Sequence, residues 1–128
     1  MEMIVHNPAE GVYPATDDYA HAIEVRNPSR FLFVAGTMGL DSGGIPATTL
    51  EGQLDLIWRN LRVILAEAGM SVDNIVRLTS YLRDPSCAEA NAKARMAALG
   101  GRRVPTTAIV AQTLAEGWLV EIEVMAAA

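Results

Sequence analysis

Two glutamates stand two positions apart in "VEIEV", residues 120–124. A strand places such residues on one face, so Glu121 and Glu123 point the same way, and Trp118, Val120, Ile122 and Val124 point the other way, toward a core. A carboxyl group set on an apolar strand can take a proton from water when ionised, or give one up when protonated. Glu121 is the candidate for that chemistry, and Glu123 is expected to pair with Arg77 or Arg62. The segment "RVPTTAIVAQ", residues 103–112, offers a different group: a strand entered through Pro105, with the hydroxyls of Thr106 and Thr107 at its mouth. Thr107 suits a neutral carbonyl or amide, although β-branched residues are also favoured in strands for packing alone. Tyr19 and His21, in "YAHAIEVR", share a strand face. Gly36, closing "FLFVAG", can present its backbone N–H to an oxyanion or merely end the strand. Asn91 lies in an alanine-rich helix where asparagine is a poor helix former, which points to a specific hydrogen bond. Cys87 falls in the first turn of that helix, where the dipole can lower a thiol pKa. It has no histidine neighbour in the sequence and reads as a partly buried small residue.

These groups need a scaffold. Strands are predicted over residues 1–6, 19–26, 31–36, 75–82, 106–112 and 118–126. A Thr48-x-x-Glu51 capping box opens the first helix. Leu50, Leu54, Trp58, Leu61, Leu65 and Ala68 follow at helical spacing with Ile57 and Ile64 beside them, and Gly69 is the stop. The second helix starts with Asp84 as N-cap and Pro85 in its first turn, and runs to Leu99 before Gly100. Its inward stripe is read as alanine, including Ala88 and Ala92. The order β-β-β-α-β-α-β-β predicts an α+β fold: a single mixed sheet of about six strands with two helices packed on one face. "FLFVA" is apolar on both faces, and the helices cover only one. The other face must meet something apolar, most simply another copy of the chain.

With 128 residues the chain is expected to form one domain, 1–128, large enough for one core. The net charge of −5 and pI near 4.9 argue against nucleic-acid binding, which needs a clustered basic face. A single cysteine excludes an intrachain disulfide. No apolar run approaches the roughly 18–20 residues of a membrane span, and no signal-peptide pattern is visible, so a cytoplasmic protein is expected.

The order of elements, together with "YAHAIEV", "FLFVAGTMGL", "AEAGMSVDNIVRLTSYLRD", "VPTTAIV" and "VEIEVMA", resembles the reactive-intermediate deaminase family, also called RidA, YjgF or endoribonuclease L-PSP, from about residue 11 to 126. The resemblance implies a chorismate-mutase-like fold and a homotrimer with ligand clefts between subunits. It implies hydrolysis of enamines and imines, such as 2-aminoacrylate, without metal or cofactor. The family's tyrosine at its second strand matches Tyr19, its Ser-Gly-Gln segment matches Ala35-Gly36-Thr37, and its helix asparagine matches Asn91. The arginine that grips a substrate carboxylate matches Thr107, the cysteine two positions on matches Ile109, and the glutamate that positions water matches Glu121. The chain therefore looks like an arginine-lacking branch. A guanidinium gives two parallel charged hydrogen bonds where threonine gives one neutral bond, a difference on the order of a hundredfold in carboxylate binding. Arg102 or Arg103, just before Pro105, is the candidate replacement. The expected activity is imine or enamine hydrolysis of a small, atypical metabolite, with Glu121 activating water and backbone amides near Gly36 and Ile109 polarising the ligand. A non-catalytic small-molecule binder of the same fold is the alternative. A ribonuclease, suggested by the older family name, fits an acidic chain with two histidines least well.

Overall fold

In the computed structural model, which describes residues 1–128, the strands are β1 (Glu2–His6), β2 (Ala22–Arg26), β3 (Phe31–Met38), β4 (Ile75–Leu82), β5 (Thr106–Val110) and β6 (Val120–Ala127). The helices are α1 (Leu50–Glu67) and α2 (Ala88–Ala98). The fold is α+β as expected, but its six strands divide into two hydrogen-bonded ladders. β1 and β2 form an antiparallel pair, and β3-β6-β4-β5 form a mixed sheet in which only β4 and β5 run parallel. The division is fixed at the turn after β2. The amides of Ser29 and Arg30 both donate to the Ala128 carbonyl, at 2.7 and 3.1 Å, so β3 starts beside the end of β6 rather than beside β2.

α1 forms where the sequence pattern places it. The Thr49 hydroxyl caps it by accepting from Gly52 N at 3.0 Å, one residue later than the capping box suggested. Leu54, Ile57, Trp58, Leu61 and Leu65 are buried against Ile75, Leu78, Ile122 and Val124 of the sheet. Each such aliphatic side chain contributes about 1.5–3 kcal/mol. Ile64, read as flanking the stripe, instead faces outward with Val63. Gly69, at φ 68°, takes the left-handed turn that lets Met70 N return to Leu65 O.

α2 departs further from its sequence reading. A 3₁₀ turn over Pro85–Cys87, capped by the Asp84 carboxylate on Ser86 N at 2.9 Å, precedes the α-helix. Its inward side combines an alanine stripe, Ala90, Ala94 and Ala98, with buried Cys87, Asn91 and Arg95, while Ala88 is exposed. Arg95 can be buried because Asp18, on the segment before β2, receives its guanidinium at 2.9 Å and the Asp18 carbonyl takes a second bond.

Helices cover one face of the four-stranded sheet. Phe31 and Phe33 stand on the other, 51% and 71% exposed, with their rings 6.4 Å apart. No helix is long and apolar enough to cross a membrane.

Candidate functional site

Cross-strand register places the chemistry-bearing residues of the uncovered face in rows. Ile109 of β5, Tyr81 of β4, Glu121 of β6 and Met38 of β3 form one row; Thr107, Thr79 and Glu123 form the next. Neighbouring strands lie about 4.8 Å apart, so roughly 10 Å separates Thr107 from Glu123, or Ile109 from Glu121, within one chain.

Glu121 is set against β3 at a defect in the ladder. Val34 pairs with Val124 and Thr37 with Ile122, so the register shifts between them and Ala35 and Gly36 have no partner residue on β6. A side chain at Gly36 would overlap the Glu121 carboxylate, which lies directly over the glycine. Here glycine is required by close approach rather than by its backbone angle. Thr37 turns to the buried side, and its hydroxyl donates to Ala35 O at 3.0 Å, bracing the bulge.

Glu123 pairs with neither Arg77 nor Arg62. Its Oε1 accepts from the Tyr81 hydroxyl at 2.6 Å. That bond, then burial and the nearby carboxylates, hold the Tyr81 phenol above its ordinary pKa. Register sets Tyr81 and Arg77 on either side of Thr79, both diagonal to Glu123, and it is the phenol that makes the bond.

The remaining expected site residues lie elsewhere. Tyr19 precedes β2, in a segment tied down by Ala20 N on Val104 O and His21 N on Asn7 Oδ1, so Tyr19 and His21 share no strand face. His21 instead packs edge-on against Tyr13 and Tyr19 and bonds the Tyr13 carbonyl. Asn91 is 2% exposed on the inward side of α2, with its Oδ1 unpartnered. Arg102 is spent on the Val72 and Ile75 carbonyls at 2.8 and 2.9 Å, and burial pushes its pKa down against the pull of Asp73. Arg103 holds the Tyr19 and Thr16 carbonyls, both at 2.9 Å. Both are engaged in joining loops, so neither replaces an arginine at Thr107.

Sequence reasoning missed a groove of about 820 Å³ between the outer edge of β3, the turn at 40–44 and α1. Ala35 and Gly36 form its floor, Leu56, Val63 and Ile64 form an apolar wall, and Arg59 and Asp41 are its charges. Asn60 Nδ2 pins the rim by donating to Met38 O and Leu40 O. Asp41 Oδ1 accepts from Gly43 N and Ile45 N, both at 2.9 Å, which folds the turn. No signal in the sequence marks this groove: Arg59 sits off the apolar stripe of α1 like any solvated residue.

Comparison with known proteins agrees with this architecture. The family profile described as endoribonuclease L-PSP matches residues 11–128. A RutC family protein of Pyrococcus horikoshii is 28% identical over 110 residues, 84% of this chain and 85% of that protein. A RutC family protein of Pyrococcus abyssi is 38% identical over 68 residues, 52% of this chain and 51% of that protein. The chain thus spans about half the length of the latter relative in the matched region. Among solved structures, a Rid family protein of unknown function from Yersinia pestis, YyfB, is 29% identical with a TM-score of 0.86, covering all of both chains. RidA of an Antarctic Psychrobacter has a TM-score of 0.73 at 23% identity, covering 89% of this chain and 97% of its own.

Proposed function

The chain belongs to the endoribonuclease L-PSP (RidA/YjgF) family, and from that premise we propose that it hydrolyses a small imine or enamine to a carbonyl compound and ammonia at clefts between the subunits of a homotrimer. The observation that carries the reading is the seat of Glu121. Its carboxylate rests over Gly36, beside two bulge residues without partners on β6, on a face that a lone chain leaves open. In the proposed reaction Glu121 takes a proton from water as the water oxygen bonds to the imine carbon. That proton passes to nitrogen, giving an amino alcohol; its hydroxyl proton then follows to nitrogen as the carbon–nitrogen bond breaks, so ammonia leaves and a carbonyl remains. Backbone amides near Gly36 and Ile109 polarise the ligand. Association through Phe31 and Phe33 would exclude water from the same face and strengthen the electrostatics there. In this reading Tyr19 contributes across a subunit boundary, Thr37 braces the bulge, and Asn91 acts from beneath α2. Thr107 and Ala35 line the cleft where the family resemblance puts an arginine and a serine, which favours a ligand anchored differently from 2-aminoacrylate.

The test is ammonia release from a panel of imines, from 2-iminopropionate to larger and neutral ones. The wild type should turn over at least one, and Glu121→Gln should lose roughly 10²–10⁴-fold, the usual contribution of a general base. Thr107→Arg should gain activity on 2-iminopropionate. An unchanged Glu121→Gln rate would remove Glu121 from the mechanism. Binding without turnover of any imine would favour the second reading, a small-molecule binding protein, which the loss of both family polar groups at Ala35 and Thr107 already suggests.

A further inference from the structure

We infer that the groove between β3 and α1 is filled by a second copy of this chain, whose turn at 112–116 seats Leu114 against Leu56, Val63 and Ile64 and sets Glu116 beside Arg59. The number of copies rests on the homotrimer of the proposed function; the seat itself does not depend on the reaction.

The turn presents an apolar knob on a fixed backbone. Leu114 is 96% exposed, more than any other large apolar side chain of the protein. The residues on either side of it are nevertheless held. Arg83 Nη1 donates to the Thr113 hydroxyl at 2.7 Å and to the Thr113 and Ala115 carbonyls at 3.2 and 3.1 Å. Trp118 N donates to Ala115 O at 3.0 Å, and the buried Gln53 side chain ties down Gly117 O and Leu119 N. A leucine presented this way loses little backbone freedom when a partner covers it, so most of its burial counts toward association.

The groove is the complement of that turn. Val63 and Ile64 face away from the core, and with Leu56 they form an apolar wall that a lone chain leaves uncovered. Arg59 borders the same groove, and Glu116 follows Leu114 by two residues. Both are exposed, and neither enters the ion pairs of the chain, which join Glu24 to His6 and Arg26, and Asp18 to Arg95. Asp41, the acid of the groove, is turned onto the Gly43 and Ile45 amides. An apolar side chain flanked by an acid thus matches an apolar wall flanked by a base. The two surfaces belong to different copies. The strand order β3-β6-β4-β5 puts the groove at one edge of the sheet, whereas the turn follows β5 at the other. A contact between such unlike surfaces is head-to-tail, the kind that can close into a ring. It draws the free edge of β5, which ends at Val110, toward β3 of the next copy, so both chains border the groove.

Sedimentation of the fluorescently labelled protein, from nanomolar to micromolar concentration, tests the seat. Leu114→Ala should raise the dissociation constant of the assembly roughly ten- to a hundredfold. Arg59→Glu and Glu116→Arg should each weaken it about tenfold, because each sets like charges together. The double variant Arg59→Glu/Glu116→Arg should return to within about threefold of the wild type. All three residues are exposed, so the substitutions leave the fold of each chain intact. Association unchanged in Leu114→Ala, a double reversal no tighter than the single ones, or a wild type that sediments as one chain overturns the inference and leaves the groove to a small molecule or another protein. Assembly broken by Phe33→Asp but indifferent to Leu114 and to both reversals keeps the trimer and removes this seat. A restored double reversal in a protein that hydrolyses no imine keeps the seat and removes only the proposed reaction.

Discussion

The Tyr81 hydroxyl donates to Glu123 Oε1 at 2.6 Å, so of the two same-facing glutamates on β6 only Glu121 keeps a carboxylate free of any hydrogen bond within the chain. The pairing separates two residues that the sequence presents as equivalents. One is bound to a phenol; the other is open to a ligand.

That bond should be visible in a titration. The hydrogen bond to Glu123 raises the Tyr81 pKa above the ordinary value of about 10. A raised folded-state pKa means that the stabilisation is whole below about pH 10 and is lost as pH climbs through the raised value. Tyrosinate absorbance should show a late-ionising phenol in the wild type, and Glu123→Gln should remove it. A wild-type titration curve that Glu123→Gln leaves unchanged would contradict the bond.

Two glycine substitutions should separate activity from stability. At Gly36 a methyl meets the Glu121 carboxylate, the mobile end of a side chain, so Gly36→Ala should melt near the wild type yet lose turnover as the carboxylate is displaced. At Gly39 the methyl meets the backbone of Gln53, within 2.5 Å of its Cα, and α1 cannot step aside. Gly39→Ala should cost about 1–3 kcal/mol, the range for overpacking. Denaturant melts paired with the ammonia assay read both effects.

Asp18 should govern part of the acid sensitivity. Its carboxyl is held below the ordinary range by the Thr16 hydroxyl first and then by Arg95. A depressed folded-state pKa gives stability that is present above about pH 4 and is lost as pH falls through the lowered value. Asp18→Asn should lose about 1–2 kcal/mol at neutral pH, less than the 3–5 of a fully buried pair because the Asp18 side chain is 39% exposed. Its stability should also fall less steeply as the pH drops below about 4. An acid limb as steep as the wild type's would dissociate Asp18 from that loss.

Phe33→Asp tests the proposed association. The exposed ring stands on the open sheet face beside Phe31, so a charge there should turn a sedimenting trimer into single chains. A wild type that sediments as one chain at micromolar concentration would remove the trimer, and with it the between-subunit cleft.

Periodicity made the scaffold readable, and register hid much of the candidate site. The stripe from Leu54 to Leu65 and the apolar run of β3 each announce their element from local spacing alone. Element ends were less legible. β2 starts at Ala22 rather than Tyr19 because distant groups, Asn7 and Val104, claim the backbone amides before it. α2 reads as an alanine helix, yet it buries Asn91 and Arg95, because the acid that makes Arg95 tolerable lies at Asp18, far away in the chain. The Tyr81–Glu123 bond and the engagement of Arg102 and Arg103 depend on how strands and loops align, which spacing within one segment does not encode.

Cys87, the single thiol of the chain, is sealed at the start of α2 with 5% of its surface accessible. A thiol reagent can reach it only when that end of the helix swings away from the sheet. Its modification rate in the native protein is therefore a clock for local opening, readable without any engineered label. Slowing of that clock as chains associate would report how far occupancy of the groove along β3 rigidifies the opposite helix.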